Sequence, residues 1–297
     1  MINDFMKKIG KKAYLKDLDK IDLSKLDSDI KVVKDISYIN DNSNEHKLDI
    51  YYKSNNELKP IMIDIHGGGF ISGSKEMDSL FANYLAQRGF VVFTLNYRLA
   101  YPTITVFDQI EDISDAVKWI ISNAEKYEGN LDAMYITGHS AGGVLAIAES
   151  LLCNDKKMRD DFNIDERNYK YNGIILDCGV MHFYIKNIAY WGMRNMVFPK
   201  DYKKMDKYQY LIFENNCALS TLPKIILLTN EKDELKKMTY YFKKVLDDHN
   251  VANKLFDIGT DGHIGIIFKP YTDENQKVID NIQECFEVGE KVKKLTK

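Results

Sequence analysis

Ser140 sits in Gly138-His139-Ser140-Ala141-Gly142-Gly143, a G-x-S-x-G pattern. The preceding Asp132-Ala133-Met134-Tyr135-Ile136-Thr137 reads as a buried strand, and the following Val144 to Leu152 as a helix. A serine between a strand and a helix, with a glycine two residues to each side, is a nucleophile elbow. The turn is so tight that the serine takes a strained backbone conformation. Glycines are needed where a Cβ would strike the neighbouring strand or helix. The strain lifts the hydroxyl clear of the sheet, and the helix N-terminus behind it favours negative charge. The chemistry implied is attack by an activated hydroxyl.

Such an attack needs a base, a group that orients the base, and donors for the charge that develops. His66-Gly67-Gly68-Gly69-Phe70 follows directly on the apolar run 61–65. Three consecutive glycines let backbone N–H groups face a ligand closely, so this loop and the N–H of Ala141 predict an oxyanion hole. His66 is expected to hold the loop by hydrogen bonds. Of the six histidines, His46 falls in a turn, His182 in a stretch without clear period, and His249 at a helix end. His139 stands beside the serine, so its side chain points elsewhere. His263 lies in Gly259-Thr260-Asp261-Gly262-His263-Ile264-Gly265, a loop after the last strand, where the base should come from. For the acid, the loop after strand 224–229 offers Asp233 first and Glu231 second, while Asp257 and Asp261 both fall after the last strand.

These residues require strand ends gathered at one edge of a sheet. Two runs, 30–39 and 46–53, linked by turn-forming Asn40-Asp41-Asn42-Ser43-Asn44, predict an antiparallel hairpin at a sheet edge. Apolar runs at 61–65, 90–95 and 132–137 predict buried strands, and 173–176, 224–228 and 254–256 predict three more strands. Helical spacing marks 80–85, 107–121, 144–152, 235–246 and 273–294. Strands alternating with helices mean an α/β protein with a mostly parallel central sheet and helices on both faces. Residues 1–27 predict one or two short amphipathic helices, and 181–216, rich in Met, Tyr, Phe and Trp, an insertion over the strand ends. Phe183, Tyr184, Tyr190, Trp191 and Phe198, with Met181, Met193 and Met196, are expected to wall off a short pocket there.

His66-Gly67-Gly68-Gly69-Phe70, Asn96-Tyr97-Arg98-Leu99-Ala100, Gly138-His139-Ser140-Ala141-Gly142-Gly143, Asp233-Glu234-Leu235 and Gly262-His263 together resemble the hormone-sensitive-lipase-like branch of the α/β-hydrolase esterases. Residues 107–146 are also similar to the carboxylesterase and feruloyl-esterase-like group. The resemblance covers about residues 47–268. It implies an α/β-hydrolase fold and a serine esterase, which we expect to use no cofactor or metal and, given the bulky residues of 181–216, to act on small, short-acyl esters. It implies Ser140, Asp233 and His263 as the triad, and Gly68, Gly69 and Ala141 as the oxyanion donors. The family elbow usually carries Asp where this chain has His139, and its Y-R-L-A-P-E is here Tyr97-Arg98-Leu99-Ala100-Tyr101-Pro102. Rival readings are an amidase, formamidase or peptidase on the same fold, and a hydrolase-fold binding protein that has lost catalysis.

Size and charge fit this picture. The 297 residues are expected to form a single α/β-hydrolase domain, with 1–27 and 181–216 as cap elements. A net charge of −3 argues against nucleic acid as a partner and leaves a small-molecule ester as the expected one, with a homo-oligomer open. The four cysteines are far apart, without a C-x-x-C pair, and read as buried free thiols. Met1 to Asp19 has no apolar h-region, and no run approaches about 18 apolar residues. The expectation is a cytoplasmic protein without a membrane span.

Overall fold

The computed structural model describes residues 2–183, 188–257, 259 and 261–286. The elements in chain order are α1 (Ile2–Leu18), β1 (Lys31–Ser37), β2 (Lys47–Tyr52), β3 (Lys59–Ile65), α2 (Ser79–Gln87), β4 (Val91–Leu95), α3 (Val106–Asn123), β5 (Gly129–His139) and α4 (Ala141–Leu152). Then come α5 (Lys156–Phe162), β6 (Tyr171–Asp177), α6 (Ile188–Val197), α7 (Asp206–Gln209), β7 (Ile225–Thr229), α8 (Lys236–Asp248), β8 (Asn253–Asp257), α9 (Gly265–Phe268) and α10 (Asp273–Phe286).

Among the described residues the strands form one sheet in the order β1-β2-β4-β3-β5-β6-β7-β8. β1 and β2 make the expected antiparallel edge hairpin, and β2 runs antiparallel to β4. Every other pairing is parallel. All seven residues of β3 are buried, as its position between two strands and two helical layers demands. The sheet packs on both faces. Ile113, Val117, Leu145 and Phe242, from α3, α4 and α8, build one core layer. Phe81, Leu85, Ile267 and Ile279, from α2, α9 and α10, build the other. At the start of α3, the Asp108 carboxylate accepts from both the N–H and the hydroxyl of Thr105, which fixes where the helix begins.

Parallel strands with short loops bring their carboxyl ends to one edge. Gly67, Ser140, Asp233 and His263 all lie within a few residues beyond the ends of β3, β5, β7 and β8.

Several expectations change. Residues 1–27 form one helix of 17 residues, α1, and a single short turn at Leu23–Lys25. Helix α5 carried no clear sequence signal. The four cysteines are free, but Cys178 alone is buried; Cys153 and Cys285 are half-buried and Cys217 is exposed. The final helix is described as far as Phe286, so 287–294 lie outside the described residues. No helix among the described residues is long and apolar enough to cross a membrane.

Candidate active site

Ser140 has φ 51° and ψ −113°, a conformation that L-residues rarely adopt. The surrounding bonds hold it there. Its N–H donates to Asp177 O at 2.9 Å, and its carbonyl accepts from Val180 N at 2.8 Å. Gly142 answers to the same constraint: a Cβ there would drive into the carbonyl of Ile65, at the end of β3. The elbow therefore packs directly on the neighbouring strand.

His263 Nε2 lies 2.9 Å from Ser140 Oγ, and its Nδ1 lies 2.9 Å from Asp233 Oδ1. The Asp233 side chain is fully enclosed, and three donors converge on it. Oδ2 accepts from the Thr229 hydroxyl at 2.6 Å, and Oδ1 accepts from Leu235 N as well as from the imidazole. Burial works against its charge, but His263 and these other donors outweigh it and hold the carboxyl below its ordinary range. The histidine loop is tied down by Asn230, whose amide donates to Gly262 O and accepts from Gly262 N.

The glycine loop runs beside the serine. Gly68 has φ +115° and leaves no room for a Cβ against Ser72 O. Its carbonyl points away from the site, accepting from Ile71 N, Ser72 N and the Ser72 hydroxyl. Among the described residues no acceptor takes the N–H of Gly68 or Gly69. Ala141 is the first residue of α4, where the N–H has no helical partner. His66 donates from Nδ1 to Gly67 O at 2.6 Å and stacks on Tyr97 with ring centroids 4.2 Å apart. Burial pushes its imidazole down to about 4, so it is a neutral prop for the loop.

The other predicted candidates lie elsewhere. Glu231 is exposed. Asp257 is bound by Lys236 and Tyr240, and Asp261 by Lys269. His46 pairs with Asp41, His182 with Glu214, and His249 donates to Val245 O.

Ser140, His263, Gly68 and Gly69 open onto a mostly apolar cavity of about 350 Å³. One wall is α1, through Ile9, Ala13 and Tyr14; Ile71, Met77, Val180 and Leu235 line the rest. The Tyr14 hydroxyl meets Ser74 Oγ at 2.8 Å, which ties α1 to the loop beyond the glycines. Of the aromatic and methionine residues expected to wall the pocket, Met193 lines it. Met181, Phe183, Met196 and Phe198 are buried in the main core instead. Tyr184 and the side chains of Tyr190 and Trp191 lie outside the described residues. The wall is therefore shared between α1 and Met193 of the insertion, while the insertion's other described bulky residues fill the core.

A second polar group lies directly under the elbow and was missed. His139 Nδ1 donates to Asp177 Oδ2 at 3.0 Å, and its Nε2 is 3.0 Å from Asp64 Oδ1. Burial alone would push this imidazole down, but the Asp64 and Asp177 carboxylates push it well above its ordinary value. Asp78, the residue before α2, is fully buried next to them. Burial, reinforced by Asp64, pushes its carboxyl far up. The signal was an aspartate inside the apolar run Ile61-Met62-Ile63-Asp64-Ile65.

Residues 48–213 match the BD-FAE family model, more than half of the chain. The chain belongs to the BD-FAE family. Among curated proteins it is 32% identical over 117 residues to the isoprenylcysteine alpha-carbonyl methylesterase ICME of Arabidopsis thaliana, covering 39% of this chain and 27% of that protein. It is 30% identical over 153 residues to the probable carboxylic ester hydrolase LipM of Mycobacterium tuberculosis, covering 50% and 35%. The chain thus spans about a third or less of the length of these relatives. Among solved structures, esterase B from Lactobacillus rhamnosis superposes with a TM-score of 0.81 at 21% identity, over 93% of this chain and 91% of that one. An esterase from Pyrobaculum calidifontis gives 0.69 at 20% identity, over 96% and 92%. The fold is that of the α/β-hydrolases.

Proposed function

We propose that this protein is a serine carboxylic-ester hydrolase acting on small, short-acyl esters. The observation that carries the reading is the hydrogen-bonded series Ser140–His263–Asp233, with both links at 2.9 Å, opening onto an apolar cavity. Ser140 Oγ attacks the ester carbonyl while His263 Nε2 takes its proton. The N–H groups of Gly68, Gly69 and Ala141 stabilise the oxyanion. His263 returns the proton to the leaving alcohol, and Asp233 orients the ring and balances its transient charge. Water then attacks the acyl-enzyme by the same route and frees Ser140. In this reading α1 and residues 181–216 are cap elements that shape the substrate cavity.

The family and the names of the relatives support ester chemistry. A Lactobacillus rhamnosis esterase of the same fold is inhibited by a tributyrin phosphonate, a small triester analogue. The direct test is labelling with a fluorophosphonate followed by peptide mapping. The adduct should sit on Ser140, and wild-type protein that stays unlabelled would sink the reading. Matched p-nitrophenyl esters and p-nitroanilides separate an esterase from an amidase, with the ester expected to turn over faster by far.

A further inference from the structure

We propose that Asp64, Asp78 and His139 form a structural binding site for one divalent cation beneath the nucleophile elbow. The three belong to different elements: Asp64 to β3, His139 to the end of β5, and Asp78 to the turn that starts α2. One donor atom of each lies within 4.8 Å of the other two, and all three residues are buried. Lys75, the adjacent cation, is already bound to Asp35, Asp49 and Glu76. With Asp177 included, three enclosed carboxyl groups surround the one imidazole.

Unused donor atoms point to an ion. Among the described residues both oxygens of Asp78 are buried without a hydrogen-bond partner, and the equally buried Asp64 has the His139 ring beside one of its oxygens. Also buried without a hydrogen-bond partner are the hydroxyls of Thr94 and Thr137, which stand opposite Asp64 on the two flanking strands and share its face of the sheet. Buried carboxylates almost always find hydrogen-bond partners or bind metal.

The imidazole geometry agrees. His139 Nε2 is 3.0 Å from Asp64 Oδ1, an ion-pair contact in which a bound ion would take the place of the ring proton. Two ligands held at about 2.1 Å from one ion stand about 3.0 Å apart at right angles, as around Mn²⁺, and about 3.4 Å apart at the tetrahedral angle of Zn²⁺, so this spacing needs little movement for either. On the far side of the ring, Nδ1 donates to Asp177 at 3.0 Å. A carboxylate behind a histidine fixes the tautomer that leaves the other nitrogen free to bind a metal. Two carboxylates and one imidazole suit Mn²⁺ or Zn²⁺. The ion would join β3, the elbow and α2, holding Ser140 in its strained turn without touching substrate.

The test is independent of whether Ser140 is a nucleophile. Wild-type protein is dialysed against chelator under native conditions and its metal is measured by mass spectrometry. Because every donor is enclosed, about one divalent ion per chain should survive. After unfolding in chelator and metal-free refolding, Mn²⁺ or Zn²⁺ should raise Tm by about 5 °C. Asp78→Asn and Asp64→Asn should hold less than about a tenth of an ion per chain and ignore both metals. Asp233→Asn should bind like wild type, which places the ion away from Asp233 and His263. Wild-type protein without metal, and with a Tm that neither ion moves, overturns the proposal; these two readings decide the matter even if the Asn variants do not fold.

Discussion

Two histidines flank the same serine, each against carboxylates. The His263 side chain is 31% exposed, borders the cavity and has one nitrogen on Ser140 Oγ. His139, the neighbour of Ser140 in sequence, is 1% exposed and faces the opposite layer, with the Phe81 ring perpendicular to its own. The backbone explains the difference. At the tip of β5 alternate side chains point to opposite faces, and the positive φ of Ser140 then throws its hydroxyl outward. The histidine nearest in sequence is therefore sealed in, while one 123 residues away reaches the hydroxyl. A carboxylate partner does not make a histidine a base; access to a proton that must move does.

The largest expected effect falls on the open side of this pair. Ser140→Ala should lower ester turnover by about 10⁴-fold or more with an unchanged circular dichroism spectrum, since triad members act as a unit. A variant within tenfold of wild type would end the comparison. Asp233→Asn should reduce kcat by about 10³–10⁴-fold because the ring loses its orienting partner. Glu231→Gln should stay near wild type, and a reversal of these two would move the acid to Glu231.

On the sealed side the effect should appear as stability. His139→Gln leaves Asp64 and Asp177 buried without the imidazole, and breaking a buried pair costs about 3–5 kcal/mol. Urea unfolding measures this, and a loss under about 1 kcal/mol would show that His139 is no more than filler. Kinetics of the protein that remains folded should change far less than with Asp233→Asn.

Chain length probes the cavity that only His263 borders. Each added methylene gains up to about 0.8 kcal/mol until the wall is met, where overpacking costs about 1–3 kcal/mol. In a p-nitrophenyl ester series, kcat/KM should peak at about two to six acyl carbons. A continuous rise to ten carbons would mean that α1 and Met193 do not close the pocket.

The smallest effect is in acid. Asp233 is held below its ordinary value, so its contribution is complete above the unfolded pKa of about 3.9 and is lost as pH falls through the folded one. Between pH 5 and 3 wild-type stability should fall more steeply than that of Asp233→Asn, as urea titrations at each pH would show. Parallel curves would mean that the carboxyl gains nothing from His263.

The elbow, the glycine loop and the strand–helix alternation were legible because each is local: Gly138 to Gly143 carries its own turn, and 61–65 its own burial. The placement of Asp233 and His263 near Ser140 followed from the rule that parallel strands end at one edge. The group around His139 was not legible. It depends on Asp64 being level with Thr137 across two strands, and on Asp78 returning from a turn, both set by register rather than by spacing. The share of α1 in the cavity wall was only partly legible: the period of residues 1–27 gave a helix, but nothing in it says where the helix docks.

Helix α1 is made before every strand it will lean on. Its partners are Ser74 and α6, and the segment after it reaches Phe268 and Tyr271 through Lys20 and Lys25. These contacts span some sixty to two hundred and fifty residues, so each closes a long loop at an entropic cost. A growing chain then holds a finished glycine loop and elbow before it has a finished pocket. Until Phe268 has been added and α1 has docked, the apolar side of that helix is free to find other surfaces. The helix that forms one wall of the pocket thus has partners still to be made when it leaves the ribosome.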